Sequence, residues 1–373
     1  MAQNVGFLPN HDEAARQAFV GTLKKYVNFF VEPKVEKRFE DDLVPATIAQ
    51  GGAMPKGRKD AAALLEADPL FKLWATLTYH SQNLMWDAVQ TTTDRIIDDR
   101  VAAFECLQAS QDRQGTMRLS DTLVIKAPIT TTEIHRQPGG YWRERRVNDL
   151  EAALNYSGTV ELYRNAKGMS TGARPAPDSL GQFVSSVARR YAPDLEPLTI
   201  VDMGCGTGEQ TLAYKREFPA ARVTGIDCAR PFIRFAHSHA ESEGVAIDFA
   251  EMDAGTTDFA DNSVDLIVSI IMFHETSKAQ VHDIMKECWR ILRPGGLVLH
   301  LDVPYQPARM PLAKQVTNHW QVRNNGEPFW TGFAELDMRE EAIAAGFDPA
   351  TAFANYESVG PATYYFFGGR KPR

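Results

Sequence analysis

The segment Ile200-Val201-Asp202-Met203-Gly204-Cys205-Gly206-Thr207-Gly208 decides the fold of this chain. Its apolar first half predicts a buried strand over residues 198–203, and the residues after it predict a helix over 209–218. Three glycines at alternate positions separate the two elements. Because glycine has no Cβ, it permits a positive φ and a close approach of the backbone to a ligand. The segment therefore predicts a strand, a tight turn and a helix built around a ligand site.

A second apolar strand, predicted over residues 222–226, ends in the acid Asp227. An acid at the tip of the second strand of a βαβ unit is placed to accept hydrogen bonds from the hydroxyls of a ribose. The alternative is that Asp227 caps the next helix, which is predicted to begin at Arg230-Pro231. Together with the glycine turn, the acid favours a cofactor that contains adenosine.

The glycine spacing discriminates between adenosine cofactors. A dinucleotide site uses G-x-G-x-x-G, in which the helix N-terminus faces a pyrophosphate. Here the spacing is G-x-G-x-G, and Glu209 occupies the position of the missing glycine. A carboxylate beside a pyrophosphate is unfavourable because like charges repel. The same carboxylate is harmless to a cofactor that carries a positive sulfonium and no phosphate.

The turn resembles motif I of the class I S-adenosylmethionine-dependent methyltransferases, in which an acid and one further residue precede G-x-G-x-G. Three later segments resemble that family in order and spacing. They are a strand ending at Asp253-Ala254, a nearly continuous apolar run over 262–272, and Arg293-Pro294-Gly295-Gly296 before another strand. The resemblance covers roughly residues 178–373. It is to the small-molecule enzymes, of the ubiquinone and menaquinone methyltransferase type.

The resemblance implies an α/β fold with a seven-stranded, Rossmann-like doubly wound sheet whose last strand is antiparallel. An amphipathic helix is predicted over residues 277–293, ending at the Pro-Gly-Gly turn. Another helix is predicted over 334–345 and closes at Gly346. Strands are predicted over 297–303, near 352–356 and near 362–367. We therefore expect a catalytic domain that binds S-adenosylmethionine over residues 178–373.

Residues 1–177 predict a mainly helical accessory region. Helical periodicity is clear over 13–31 and over 60–109, with a break at Asp68-Pro69. The loop-rich residues 164–178 mark the expected boundary with the catalytic domain. We expect this region to form a lid, or to provide contacts for the substrate or for a homodimer.

A strand-like stretch over residues 119–134 interrupts the helical pattern of that region. It leads to Pro138-Gly139-Gly140, which predicts a turn, and then to the aromatic pair Tyr141-Trp142. The pair is interpreted either as a mobile gate over the site or as part of an ordinary docked loop.

Charge and composition limit the partners of the chain. It has 373 residues and a net charge of −8, and its apolar and charged fractions are ordinary for a globular protein. The one dense basic cluster, Arg143, Arg145 and Arg146, is interleaved with Glu144 and is typical of a solvated helix face. The sequence therefore contains no extended cluster of basic residues of the kind that binds phosphates. This disfavours nucleic acid as a partner.

Location and metal content can also be predicted. No apolar run is long enough to span a bilayer, and the first residues lack the pattern of a signal peptide. The four cysteines show no C-x-x-C spacing, so neither a disulfide framework nor a zinc site is expected. A cytoplasmic location is expected instead. His237 and His239 are two positions apart on a predicted helix and point to nearly opposite faces. No metal site is predicted.

Methyl transfer by in-line displacement from the sulfonium of S-adenosylmethionine is the implied activity, with S-adenosylhomocysteine as product. A small-molecule acceptor is favoured, attacked at oxygen rather than at nitrogen or carbon. Two alternatives stay open: methylation of a protein or peptide side chain, and a scaffold that binds the cofactor without transferring a methyl group. The resemblance places these residues around the cofactor, with Asp253 at the adenine: Asp202, Gly204, Cys205, Gly206, Asp227, Cys228, Asp253, Ala254 and Ile270.

A hydroxyl or ammonium acceptor would need a general base. His274 is the predicted base, because imidazole titrates near neutral pH; the alternative is that it only orders its loop. Glu275 is predicted chiefly to cap the following helix, although it is also a candidate for binding the substrate. The other predicted substrate-binding residues include two from an insertion over 306–332 that is expected above the cofactor: Tyr141, Asp302, Tyr305, His319 and Trp320.

Overall fold

Eight strands form one sheet in the computed structural model, which describes residues 6–125, 127, 129–171, 175–304, 306–360 and 362–373. In chain order they are β1 (Met117–Arg118), β2 (Thr199–Met203), β3 (Arg222–Asp227), β4 (Asp248–Glu251), β5 (Val264–Ile270), β6 (Leu292–Asp302), β7 (Phe353–Val359) and β8 (Ala362–Arg370). Their order across the sheet is β1-β4-β3-β2-β5-β6-β8-β7. β8 runs antiparallel to β6 and β7, and the other neighbouring pairs are parallel.

The predicted doubly wound sheet with an antiparallel last strand is confirmed, but it has eight strands rather than seven. The added strand is β1, whose Met117 and Arg118 pair with Phe249 and Ala250 of β4. Two residues are too few to show any periodicity, so no pattern in the sequence indicates this strand. The N-terminal region thus supplies one edge of the sheet.

Helices cover both faces of the sheet. In chain order they are α1 (His11–Tyr26), α2 (Glu32–Arg38), α3 (Val44–Ala49), α4 (Arg58–Leu65), α5 (Pro69–Ala109), α6 (Glu151–Thr171), α7 (Ser179–Tyr191), α8 (Glu209–Glu217), α9 (Arg230–Ser242), α10 (Lys278–Ile291), α11 (Leu312–Asn325), α12 (Trp330–Ala334) and α13 (Met338–Ala345). π-helical turns join α1, α2 and α3. α7, α8 and α9 pack on one face and α10 and α13 on the other. Ile200 and Val201, which are successive residues of β2, therefore pack into hydrophobic cores on opposite faces of the sheet.

Two element boundaries in the catalytic part differ from the prediction. β6 begins at Leu292, and the predicted turn at residues 293–296 is an irregular insertion within this strand, between the pairs Val264–Leu292 and Leu266–Leu297. The helix predicted over 334–345 begins later, at Met338, because Asp337 caps α13; residue 334 is instead the last of α12. Its predicted end at Gly346, where φ is 114°, is confirmed.

The N-terminal region is helical, as predicted, but its predicted strand is wrong. The described residues of 119–134 form loops and short 3₁₀ turns. The break before α5 is confirmed, because Asp68 accepts a hydrogen bond from the Leu70 N–H and Pro69 is the first helical residue. α6 continues through the first part of the predicted boundary loop, 164–178.

The insertion after β6 holds the N-terminal helices against the sheet. Its helix α11 packs on α4 and α5, and the rings of Phe71 and Trp320 meet edge to face with centroids 5.4 Å apart. The predicted basic helix face at Arg143–Arg146 is wrong, because these residues lie in an irregular loop. Among the described residues, no helix combines the length and apolar character needed to cross a membrane.

Candidate active site

The glycine turn after β2 has the conformation that its sequence predicts. Gly204, Gly206 and Gly208 have φ values of 65°, 54° and 76°, a region that favours glycine. A Cβ on Gly204 would lie 2.6 Å from the Met272 sulfur, and one on Gly208 would lie 2.9 Å from the Ala236 Cβ. Glycine at these two positions thus allows both the turn and the close packing around it.

Asp227 ties the glycine turn to the end of β3. Its carboxylate accepts hydrogen bonds from the Gly206 N–H at 3.1 Å and from the Ala229 N–H at 2.8 Å. It does not cap α9, which has no side-chain cap. Burial raises the pKa of Asp227 to about 6, and backbone hydrogen bonds oppose that rise. This carboxylate therefore lines the cleft in a partly desolvated setting.

Most residues predicted around the cofactor line one cleft at the carboxyl ends of the parallel strands: Gly204, Gly206, Asp227, Cys228, Asp253, Ala254 and Ile270. Two do not lie in its wall. Asp202 is buried and accepts a hydrogen bond from the Thr211 hydroxyl at 2.6 Å. Burial raises the pKa of Asp202 to about 7. Cys205 packs within one of the cores of the sheet.

The opposite wall of the cleft is mainly apolar and comes largely from the N-terminal region. Residues that line it are Ile125, Ile129, Ile134, Tyr141, Trp142, Tyr156, Phe232, Ile271 and Met272. Tyr141 and Phe232 meet edge to face, with centroids 5.3 Å apart. Ile271 has a φ of 57°, which is strained for a β-branched residue. No described residue of the cleft wall is Lys or Arg.

Glu275 contributes a carboxylate to that second wall. It lies in the 3₁₀ turn Phe273–Glu275, directly after β5. Its Oε1 accepts hydrogen bonds from the Tyr141 hydroxyl at 3.2 Å and from His135 Nε2 at 2.8 Å. The predicted capping role of Glu275 is wrong, because Ser277 caps α10 together with Gln280.

His274 lies behind Glu275 and is only 3% exposed. Its Nδ1 is 2.7 Å from Asp302 Oδ1, and its Nε2 is 3.8 Å from Glu275 Oε1. Asp302 also accepts a hydrogen bond from the Phe273 N–H at 2.9 Å, which fixes the whole turn. Asp302 is therefore a partner of His274 rather than a group in the cleft wall.

His135 and Glu327 complete this cluster, and no sequence pattern singles out either of them. His135 Nδ1 lies 2.7 Å from Glu327 Oε1. His135 precedes a Pro-Gly-Gly turn, which is a weak signal for a special backbone. Glu327 follows Gly326 in the insertion after β6 and has no signal that distinguishes it from a surface residue.

The carboxylates control the protonation of both histidines. Burial lowers the pKa of His274, but the adjacent Asp302 outweighs burial and raises it to about 9. Burial likewise opposes the positive charge of His135, yet Glu327 and Glu275 raise its pKa well above the ordinary value. Burial and Glu275 raise the pKa of Tyr141, so its hydroxyl stays protonated.

Two residues of α11 that are predicted to bind the substrate, His319 and Trp320, do not line the cleft. His319 is exposed on α11, and the Trp320 indole N–H donates to Glu66 at 2.9 Å. Tyr305 lies outside the described residues. His237 is fully buried, and the ring of His239 stacks on Phe235 instead of facing His237.

Known proteins share the central part of this arrangement. A family model described as a methyltransferase domain matches residues 200–296. A demethylmenaquinone methyltransferase of Thermus thermophilus is 34% identical over 141 residues, which are 36% of this chain and 63% of that protein. A malonyl-[acyl-carrier protein] O-methyltransferase of Methylococcus capsulatus is 30% identical over 148 residues, 39% of this chain and 46% of that protein. The chain thus spans between about half and two thirds of these relatives.

Solved structures also include similar chains. One is a phosphoethanolamine N-methyltransferase 2 of Haemonchus contortus with S-adenosyl-L-methionine, at a TM-score of 0.39 and 16% identity, covering 51% of this chain and 52% of that one. The sheet order, the glycine turn and the match over residues 200–296 agree in indicating a methyltransferase domain whose cofactor is S-adenosylmethionine.

Proposed function

We propose that this chain transfers the methyl group of S-adenosylmethionine to an oxygen of a small-molecule acceptor. The observation that supports this most directly is the position of Glu275. It lies in the cleft wall with Tyr141, while the glycine turn and Asp227 line the same cleft. The relatives include an enzyme named as an O-methyltransferase and one named for demethylmenaquinone.

The residues of the chain would bind, orient and deprotonate the acceptor. When bound, S-adenosylmethionine supplies an activated methyl group on a sulfonium. Glu275 accepts the proton of the acceptor hydroxyl, and the Tyr141 hydroxyl, which remains protonated, holds that carboxylate in place. The apolar wall excludes water from the reacting atoms. The proton leaves as the new C–O bond forms and the bond from methyl to sulfur breaks.

His274 is then a positioning residue rather than the group that contacts the acceptor. It is buried, and Asp302 orients its ring. A protonated imidazole at this position attracts the Glu275 carboxylate, 3.8 Å away, and so helps to hold it in place. The base role predicted for His274 is accordingly assigned to its neighbour Glu275.

The cleft favours an acceptor with a flat or apolar body and no negative charge. Its wall carries isoleucines and aromatic rings, and the carboxylates among its described residues are Asp227, Asp253 and Glu275. An anionic acceptor would meet like charges there, without a basic residue of the described wall to pair with. A neutral hydroxyl compound fits this lining.

Label transfer would test the proposal. The protein is incubated with methyl-labelled S-adenosylmethionine and a metabolite extract, and the products are separated into small molecules and protein. A labelled small molecule whose methyl is bound to oxygen is the expected result. Label in protein would support side-chain methylation instead. Cofactor binding without any label would support the scaffold and overturn the proposal.

A further inference from the structure

We propose that His135, His274 and Glu275 form a binding site for one divalent transition-metal ion. One ligand atom from each residue lies within 4.8 Å of the other two. Glu275 Oε1 is 2.8 Å from His135 Nε2 and 3.8 Å from His274 Nε2. Bonds of roughly 2.0–2.2 Å from one ion to such donors give separations between donors in this range. Two imidazoles and a carboxylate therefore converge on one point.

Each histidine is oriented by a second carboxylate. Nδ1 of His274 contacts Asp302 and Nδ1 of His135 contacts Glu327, both at 2.7 Å. Metal-bound histidines almost always donate their other ring N–H to such a group, which fixes the tautomer and the ring plane. In both residues this leaves Nε2 as the atom directed at Glu275. The cluster thus has an inner set of three donors and an outer set of two carboxylates.

A buried oxygen of Glu327 also favours a cation in this cluster. Its Oε1 contacts His135, but its Oε2 is buried without a hydrogen-bond partner and lies 3.8 Å from His274 Nε2. A buried carboxylate oxygen without a partner is costly. A dication beside it would compensate that cost and would replace the protons of the two imidazoles.

The backbone of His135 is held in a strained conformation that aims its ring at the cluster. Its φ of 54° is unusual for a residue other than glycine. Its carbonyl accepts from the Gln82 amide at 2.8 Å and the Trp86 indole at 2.7 Å, and its N–H donates to the Gly326 carbonyl at 2.8 Å. Strain held by several hydrogen bonds is typical of functional sites.

The donor set indicates which ions fit. Imidazole suits Zn²⁺, Fe²⁺ and other transition metals, whereas Mg²⁺ and Ca²⁺ prefer oxygen ligands. Two histidines and one carboxylate leave further coordination positions open. Glu275 lines the cleft, so an open position there could take an acceptor oxygen. The ion would lower the pKa of that hydroxyl, whose proton would then pass to the second carboxylate oxygen of Glu275. This role rests on the proposed function, whereas metal binding does not.

Cobalt titration would test the site directly. The full chain is treated with a chelator, returned to chelator-free buffer and titrated with Co²⁺, while the visible absorption of the ion and its displacement by Zn²⁺ are followed. One equivalent bound per chain is expected. His135→Asn and Glu275→Gln should each weaken binding at least about tenfold. His282→Asn is the matched control, because His282 lies at the surface of α10 beside Glu341 and should bind like wild type.

The outcomes separate the two proposals. Wild-type protein without a Co²⁺ band, or equal binding by Glu275→Gln and wild type, would overturn the metal site and leave the cluster as an ion-pair network. Circular dichroism shows whether a histidine variant has failed to fold. In that case Glu275→Gln, which is isosteric with wild type, still tests the metal site. Cofactor affinity is measured on the same samples. Stoichiometric Co²⁺ binding by a protein that transfers no label overturns only the proposed function.

Discussion

Asp227 is the residue on which we expect cofactor binding to depend most. Its carboxylate already orders the glycine turn through the Gly206 N–H, and its raised pKa shows that ionisation in the cleft is costly. A ligand that donates hydroxyl hydrogens to the ionised form would recover part of that cost. The predicted and observed positions of Asp227 agree because they depend on a local βαβ unit.

We expect Asp227→Ala to weaken cofactor binding about tenfold to a hundredfold, because hydrogen bonds to a charged group contribute about 1.5–3 kcal/mol each. In wild type the affinity should fall as the pH drops through about 6, where Asp227 becomes protonated. Asp227→Asn should show no such step. Isothermal titration with S-adenosylmethionine between pH 5 and 8 measures both. Unchanged affinity in the alanine variant would contradict the ribose assignment.

Glu275 permits the corresponding test on the acceptor side. Glu275→Gln should keep cofactor affinity and lower kcat about a hundredfold, since loss of a general base or of an ionic ligand removes a group that acts on the acceptor proton. The measurement is the single-turnover rate with labelled cofactor and the acceptor that the label-transfer experiment identifies. Glu340→Gln, on the exposed start of α13, is the control and should retain the wild-type rate. Equal rates in the two variants would remove Glu275 from the mechanism.

At the scale of elements, the glycine turn fixes how closely α8 can approach α9. Gly208 has a φ of 76° and its missing Cβ would lie 2.9 Å from Ala236, whereas Gly51 has a φ of 83° with open space around it. Gly51→Ala should therefore cost only the backbone strain, about 1 kcal/mol. Gly208→Ala should cost at least about 1 kcal/mol more, because α9 must also move. Urea unfolding measures both; equal losses would show that packing is not what selects glycine there.

The sequence predicts the elements of the catalytic part well because each has a local signal. β2 and β5 are apolar runs and α10 has an amphipathic pattern. Gly208 and Gly346 lie at the element boundaries that they predict. The failures have equally local causes. β1 is too short for periodicity, and the apolar residues of 119–134 serve the cleft wall rather than a sheet. A pattern of apolar residues alone does not tell these two kinds of burial apart.

At the scale of the whole molecule, the cluster around Glu275 joins parts of the chain that are far apart in sequence. His135 and Glu275 are separated by 140 positions, and Glu327 comes from the insertion after β6. Long-range contacts of this kind depend on how α5, α11 and the sheet pack together. No motif surrounds His135 or Glu327, so this cluster could not be predicted from sequence in the way that the glycine turn and its neighbouring strands could.

The same contacts predict that the N-terminal helices and the sheet unfold together. α5 contributes no residue to the cleft wall, but it holds His135 through Gln82 and Trp86. If the chain is one cooperative unit, a cofactor at about one hundred times its Kd adds roughly 2.7 kcal/mol to the opening free energy of the slowest amides of α5. Hydrogen exchange with and without S-adenosylmethionine measures this. Protection confined to residues 198–276, with α5 unchanged, would show instead that the two parts predicted on either side of residue 177 unfold independently.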